Sequence, residues 1–402
     1  MNVDDKRLMM ARRATRFIFF VCGLGISSWA PMVPYAKDRL GLHEGHLGLL
    51  LLFIGLGALV MMPVTGLLIS RYGTRKVIAC SAILIALLLP SLIVIKSVII
   101  MAAALFIFGA AIGSIDVAMN AHGIYVQNLY GRPVMSSLHG LFSVGGLAGS
   151  LGLGFLVKAG LDPLHAAFSI AGLLLVICLS QYRHLFPYHL EQDINTKYST
   201  VTDTALTSNN FLWLRRSVVF LGTMCFIVFL SEGAMLDWSA VFLRDTKAVP
   251  QTLSGAGYAA FSVAMATMRL LGDGLVEKFD RTTIVSGGSL LAAFGLLVAI
   301  FSPWFYMVLV GYILLGIGAA NIVPVFFSDG GRLKGIPASV SIPAITTMGY
   351  AGQLAGPALL GFIAHHISLP AAFGCCAILL IITSLSYWIK EQKYPLTISK
   401  IQ

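Results

Sequence analysis

Apolar residues run along this chain in long blocks, each closed by a short polar or basic break. A helix needs about 20 apolar residues to cross a bilayer. Twelve blocks reach that length: 17–36, 46–69, 77–95, 98–124, 134–157, 164–182, 217–242, 254–276, 283–302, 304–327, 338–363 and 368–389. The one long polar stretch, 183–216, is rich in Thr, Ser and Asn, and its low hydrophobicity gives it little reason to fold alone. The pattern predicts an all-α membrane protein: a six-helix bundle over 1–182, a linker over 183–216 and a second six-helix bundle over 217–402. The basic N-terminus leads into an apolar run longer than a signal-peptide core with no small-residue cleavage site after it, so it reads as a retained first span.

Composition agrees. The chain is 57% hydrophobic and 11% charged, where a soluble domain is nearer a quarter charged. A net charge of +10 would suit nucleic acid if it formed one patch, but the basic residues lie between spans, so no nucleic-acid partner is expected. Of the 27 Lys and Arg, twenty fall in the N-tail, the C-tail, the linker and alternate loops; six lie in the opposite loops (Lys37, Arg39, Lys96, Lys158, Arg244, Lys247), and Arg269 lies within a span. The positive-inside rule then places both termini and the linker in the cytoplasm. All six cysteines fall in apolar segments, and adjacent Cys375 and Cys376 lack metal-ligand spacing. Neither a disulfide framework nor a metal site is expected.

The two halves repeat. A shift of 207 residues lays GGLAGSLGLGF (145–155) on GQLAGPALLGF (352–362), Leu68–Tyr72 on Leu275–Phe279, and Gly109 on Gly316. Parallel repeats around a midplane cavity are an architecture of secondary transporters. The duplicated glycines are expected to be scaffold. The costly polar residues are not duplicated: Asp116 falls on Val323, Asn120 on Phe327, His139 on Thr346 and Arg269 on Met62. Groups that break the pseudo-twofold are candidates for contact with an asymmetric ligand.

Residues 66–77, GLLISRYGTRKV, resemble the cytoplasmic-loop signature of the major facilitator superfamily through Gly66, Arg71, Gly73, Arg75 and Lys76, with Ser70 where the family usually has Asp. EKFDRTTI (277–284) echoes it weakly in the second half. The resemblance implies that this loop, with Asp273 among its partners, clips the halves together in the outward-open state. Within the superfamily, GSIDVAMNAHG, SSLHGLFSVGGLAG and SEGAMLDWSAVFLRD look most like uncharacterised bacterial inner-membrane members near the fucose-permease-like sugar–proton symporters. Those symporters carry a coupling acid on helix 4, where Asp116 lies here. Their helix 1 also carries an acid, whereas the corresponding run here, GISSWAPMVP, has none.

An Asp at a helix centre costs roughly 2.5–3.5 kcal/mol on insertion scales, so intramembrane acids usually face a partner or a water-filled cavity. Asp116, Glu232 and His139 are the proton-coupling candidates. Asp116 and Asn120, four residues apart, share a helix face; they are either a coupling acid with a substrate-binding amide or a buried pair locking helices. His139 could relay a proton to Asp116 or be a satisfied structural group. Glu232 is set near the midplane, about 16 residues from Arg216 at the helical rise, and Asp237 lies nearer the far face. Trp29 and Trp238 are candidates for stacking on substrate or for packing, and Asn321 and Gln353 for hydrogen bonding to it. Arg269 and Asp273 are four apart, and their mutual ion pair is the expected arrangement, although Arg269 is deep enough to meet another anion.

No phosphate-cradling loop, nucleophile elbow, HExxH or paired-Cys pattern is present, so neither an enzyme activity nor a cofactor is expected. The reading is a monomeric, proton-coupled transporter of a small polar solute, a sugar or related metabolite, working by alternating access in the inner membrane. The alternative is a proton-driven exporter of drugs or metabolites. Helix 5 lacks the Gly-Pro pair common in antiporters, which occurs instead in helix 11 as Gly356-Pro357.

Overall fold

The structure is a computed structural model, described for residues 4–42, 44–199, 212–250, 253 and 256–393. Fifteen α-helices occur among these residues: α1 Asp5–Ser27, α2 Val33–Leu40, α3 Glu44–Tyr72, α4 Thr74–Val94, α5 Val98–Tyr130, α6 Met135–Lys158, α7 Pro163–Tyr182, α8 Tyr188–Ser199, α9 Arg216–Val241, α10 Ala256–Lys278, α11 Gly288–Phe301, α12 Phe305–Ala319, α13 Ile322–Gly330, α14 Ala338–His366 and α15 Leu369–Lys393. Ten described helices are long and apolar enough to cross a membrane. α1 falls short because Arg12, Arg13 and Arg16 stand in its first half, and α14 because Gly, Thr, Tyr and Gln dilute it. With these two, twelve spans remain, span 1 continuing through a 3-10 turn (Ala30–Met32) into α2 and span 10 broken between α12 and α13. α1 to α7 pack among themselves, as do α9 to α15.

The duplicated glycines are scaffold, as expected. A methyl on Gly109 would run into the carbonyl of Ile54, and one on Gly316 into that of Phe261. Both partners are related by the same 207-residue shift, so one close helix crossing is built twice. Gly145 against Phe20 and Gly352 against Phe226 repeat a second crossing, because backbones approach closely only where no Cβ intervenes.

The same symmetry explains two cations on the sparsely basic face. Arg39 donates to the carbonyls of Leu92 and Ile95 at 2.7 and 2.8 Å, capping α4. Lys247 donates to those of Ile300 and Ser302 at 2.8 and 2.7 Å, capping α11. Each satisfies carbonyls left over at a helix C-terminus, where the macrodipole favours a cation.

The linker carries a helix of its own, α8. Much of it is helical, not because it folds alone but because α8 lies on the first bundle and buries Leu190 and Ile194 there. Glu191 of α8 accepts from the Thr74 amide at 2.9 Å and from its hydroxyl, capping α4. Tyr188 donates to the Ser70 carbonyl at 2.6 Å, and Tyr198 to that of Asn128 at 2.7 Å. Residues 200–211 of the linker lie outside the described residues. The six cysteines are free thiols.

Candidate functional site

Asp116 sits just past the middle of α5 and is 5% exposed. Among the described residues its carboxylate takes no hydrogen bond and no ion pair. Its electrostatic neighbours are Cys22 of α1, Cys225 of α9 and Tyr350 of α14. Other buried or half-buried acids are paired: Glu232 with Arg269, Asp329 with Arg281 and with the Tyr387 hydroxyl, Glu191 with Thr74. Asp116 is the exception.

Asn120 does not extend the acid's side chain. Its Nδ2 donates to the Asp116 carbonyl at 2.9 Å, and its Oδ1 lies 3.1 Å from His139 Nε2. With Oδ1 the acceptor, the hydrogen-bond network puts the ring proton on Nε2. The imidazole is held between Phe19, edge-on at 5.4 Å, and Phe327, stacked at 5.6 Å. His139 therefore meets Asn120 and not the Asp116 carboxylate, the arrangement of a hydrogen-bonded structural group, one of the two roles the sequence leaves open. This trio joins α5 to α6 and lays an aromatic bridge to α13 in the other half.

Arg269 corrects the sequence expectation. Its partner is Glu232, with Nη2 at 3.1 and 3.3 Å from the two carboxylate oxygens, and not Asp273. The reason lies in span 10. Pro324 has no N–H to give the Ala320 carbonyl, so the helix breaks there, and Arg269 Nε donates to that oxygen at 3.2 Å. Asn321, at the break, donates to the Met268 carbonyl at 3.3 Å while its Oδ1 is buried without a partner. Tyr350 of α14 and Cys225 of α9 lie within the electrostatic reach of both Asp116 and Glu232.

The remaining candidates fall outside this cluster. Asp237 is exposed. Trp238 packs on Gly361 of α14, Gln353 packs on Gly233 of α9, and Trp29 is buried at the α1 break. The indole N–H groups of both tryptophans are buried without partners. Tyr350 is the residue that sequence reasoning missed. It falls on Ser143 under the 207-residue shift, so extending the asymmetry test to aromatic hydroxyls would have flagged it.

Among the described residues, the polar contacts that join the halves lie toward the face where α1 begins and α15 ends. Gln127 and Ser328 exchange hydrogen bonds at 3.0 and 3.1 Å. Asp273 accepts from the Ser137 amide at 3.1 Å in the first turn of α6, and Arg132 lies 3.7 Å from Glu277. Gly66 packs on Ser339 and Pro343 of α14, and Gly140 on Leu270 of α10.

The Major Facilitator Superfamily model matches residues 16–333. The chain belongs to that superfamily. It is 43% identical over 373 residues to an uncharacterised MFS-type transporter of Yersinia pestis, covering 93% of this chain and 94% of that one. Among solved structures it resembles the proton:xylose symporter XylE bound to 6-bromo-6-deoxy-D-glucose (TM-score 0.74, 13% identity, 99% of both chains). It also resembles FucP in the outward conformation (TM-score 0.73, 15% identity, 95% of this chain and 99% of that one). At such identities the likeness is one of fold. The protein is a transporter of the superfamily. In the loop that resembles the family signature, Gly73 has φ +82°, a conformation that favours glycine, while Arg75 stacks 4.0 Å over Tyr182 and Arg71 and Lys76 are exposed. Ser70, standing in place of the acid, bonds back to Leu67 and not across to α14. An acid does span the halves in the second bundle, where Asp273 caps α6.

Proposed function

We propose that this transporter moves a small polar solute, a sugar or related metabolite, inward across the bacterial inner membrane by proton-coupled symport, with Asp116 as the coupling acid. One observation carries the reading: Asp116 is a buried carboxylate with no partner among the described residues. Leaving a charge buried and unpaired is costly. The acid is accommodated when it holds a proton or meets a group brought in from outside, and alternation between those states is coupling. Glu232 and Arg269 form the second charged element of the site, with Tyr350 within electrostatic reach of both acids. His139 and Asn120 act as positioning groups for α5, and Trp29, Asp237, Trp238, Asn321 and Gln353 remain the candidates for contact with the solute.

The positive-inside rule makes the face where α1 begins and α15 ends cytoplasmic. The Gln127–Ser328, Ser137–Asp273 and Arg132–Glu277 contacts then close the inner side, so the site faces outward. Import requires these contacts to part and the halves to rock about the cluster.

The test begins with a thermal-shift screen of purified protein against sugars, organic acids and nucleosides. A hit is then assayed in proteoliposomes for solute-driven proton movement. Uptake with co-moving protons supports the proposal. Efflux against a proton gradient, together with hypersensitivity of a deletion strain to toxic compounds, would replace it with the exporter reading.

A further inference from the structure

A groove that shares only Ser137 with the polar inter-half contacts above opens where α1, α6 and α10 meet near the inner face. Its upper wall is apolar: Phe17 and Phe20 of α1, Leu141 of α6 and Leu270 of α10. Its lower wall carries Arg13 and Arg16. On α6, Leu141 belongs to the stripe that continues through Val144, Leu147, Leu151 and Phe155, spaced three or four residues apart and 38, 61, 63 and 70% exposed. So apolar and exposed a stripe on a membrane helix faces lipid. The groove therefore opens sideways into the bilayer and not toward Asp116.

The arginines are placed and free for an anion. Neither takes a hydrogen bond or ion pair from the described residues. Arg13 lies 5.8 Å from the Phe17 ring, and Arg16 feels Arg12 as a repelling neighbour and Asp273 only at a distance. Both stand at the start of span 1, where the chain leaves the apolar layer, at headgroup depth. Arg binds phosphate by a planar two-pronged fork, and basic recesses between membrane helices on the cytoplasmic side take anionic headgroups. The geometry points to an anionic glycerophospholipid of the inner leaflet, its phosphate on Arg13 and Arg16 and an acyl chain along Phe17, Phe20 and Leu141.

Leu270 comes from the second half, and Gly140 beside Leu141 is the point where it docks. The groove is complete only while α6 and α10 are together, so the lipid would favour the inward-closed arrangement. The partner's charge is the discriminating property, since a zwitterionic lipid with the same chains offers the same apolar contact.

The experiment is native mass spectrometry of the full-length protein in detergent with palmitoyl-oleoyl phosphatidylglycerol or the matching phosphatidylcholine. The unmodified protein should retain one phosphatidylglycerol in preference to phosphatidylcholine, a comparison that needs no variant. Arg13→Gln with Arg16→Gln should weaken that retention about thirtyfold, at roughly fivefold per arginine, and Arg13→Lys with Arg16→Lys should keep most of it. Equal retention of both lipids overturns the proposal. So does unchanged phosphatidylglycerol retention in the glutamine variant, or displacement by millimolar inorganic phosphate alone, which would make this a free-anion site.

Discussion

Arg269 Nε donates to the carbonyl of Ala320 at 3.2 Å, the oxygen that Pro324 leaves without its helical donor. The same guanidinium holds Glu232. One side chain thus repairs a broken span and neutralises the acid facing it, and that dual task explains why a cation stands so deep in α10.

Removing the cation should therefore be worse than removing the pair. Arg269→Met leaves Glu232 buried and unpartnered, a loss of about 3–5 kcal/mol for a pair broken on one side. Arg269→Met with Glu232→Gln should recover much of that loss without recovering transport. Thermal unfolding in detergent and uptake in proteoliposomes measure the two effects. A single variant that melts like the parent would show that Arg269 does not hold Glu232.

Arg39 and Lys247 cap equivalent helices in the two halves. Arg39→Ala and Lys247→Ala should each cost about 1 kcal/mol, the scale of a cation at a helix C-terminus. The sites share no partner, so the double variant should lose the sum. A strongly non-additive double variant would mean that the halves unfold as one coupled unit through these caps.

Glu191 predicts a pH dependence of stability. Burial lifts its carboxyl to about 7, against the opposing hydrogen bonds from Thr74. The unfolded chain's Glu titrates near about 4.3, so the folded state binds this proton more tightly. The associated stability is fully present below about 4.3 and is lost as pH rises through the folded value. Between these limits Glu191→Gln should melt with a shallower slope against pH than the parent. Parallel slopes would remove Glu191 as the titrating group.

Much of the fold was legible because bilayer length, basic-loop asymmetry and the 207-residue repeat are one-dimensional signals. The glycine crossings followed from the repeat alone. The site was legible in part. Asp116, Glu232 and Arg269 stood out as polar groups in apolar spans, but the sequence paired Arg269 with Asp273, its neighbour along the helix. Which acid Arg269 meets depends on the proline break in a different span, and four-residue spacing cannot see that. The helix in the linker was hidden for a similar reason. α8 is stabilised by the surface on which it lies, through Ile194 and Glu191, and not by its own composition.

The most direct test is Asp116→Asn in proteoliposomes, using the solute that the screen identifies. The account predicts that the variant still exchanges solute across the membrane at equilibrium but no longer accumulates it on a proton gradient, with the pH dependence of uptake abolished. Gradient-driven accumulation at the parent's level with an unchanged pH profile would contradict it.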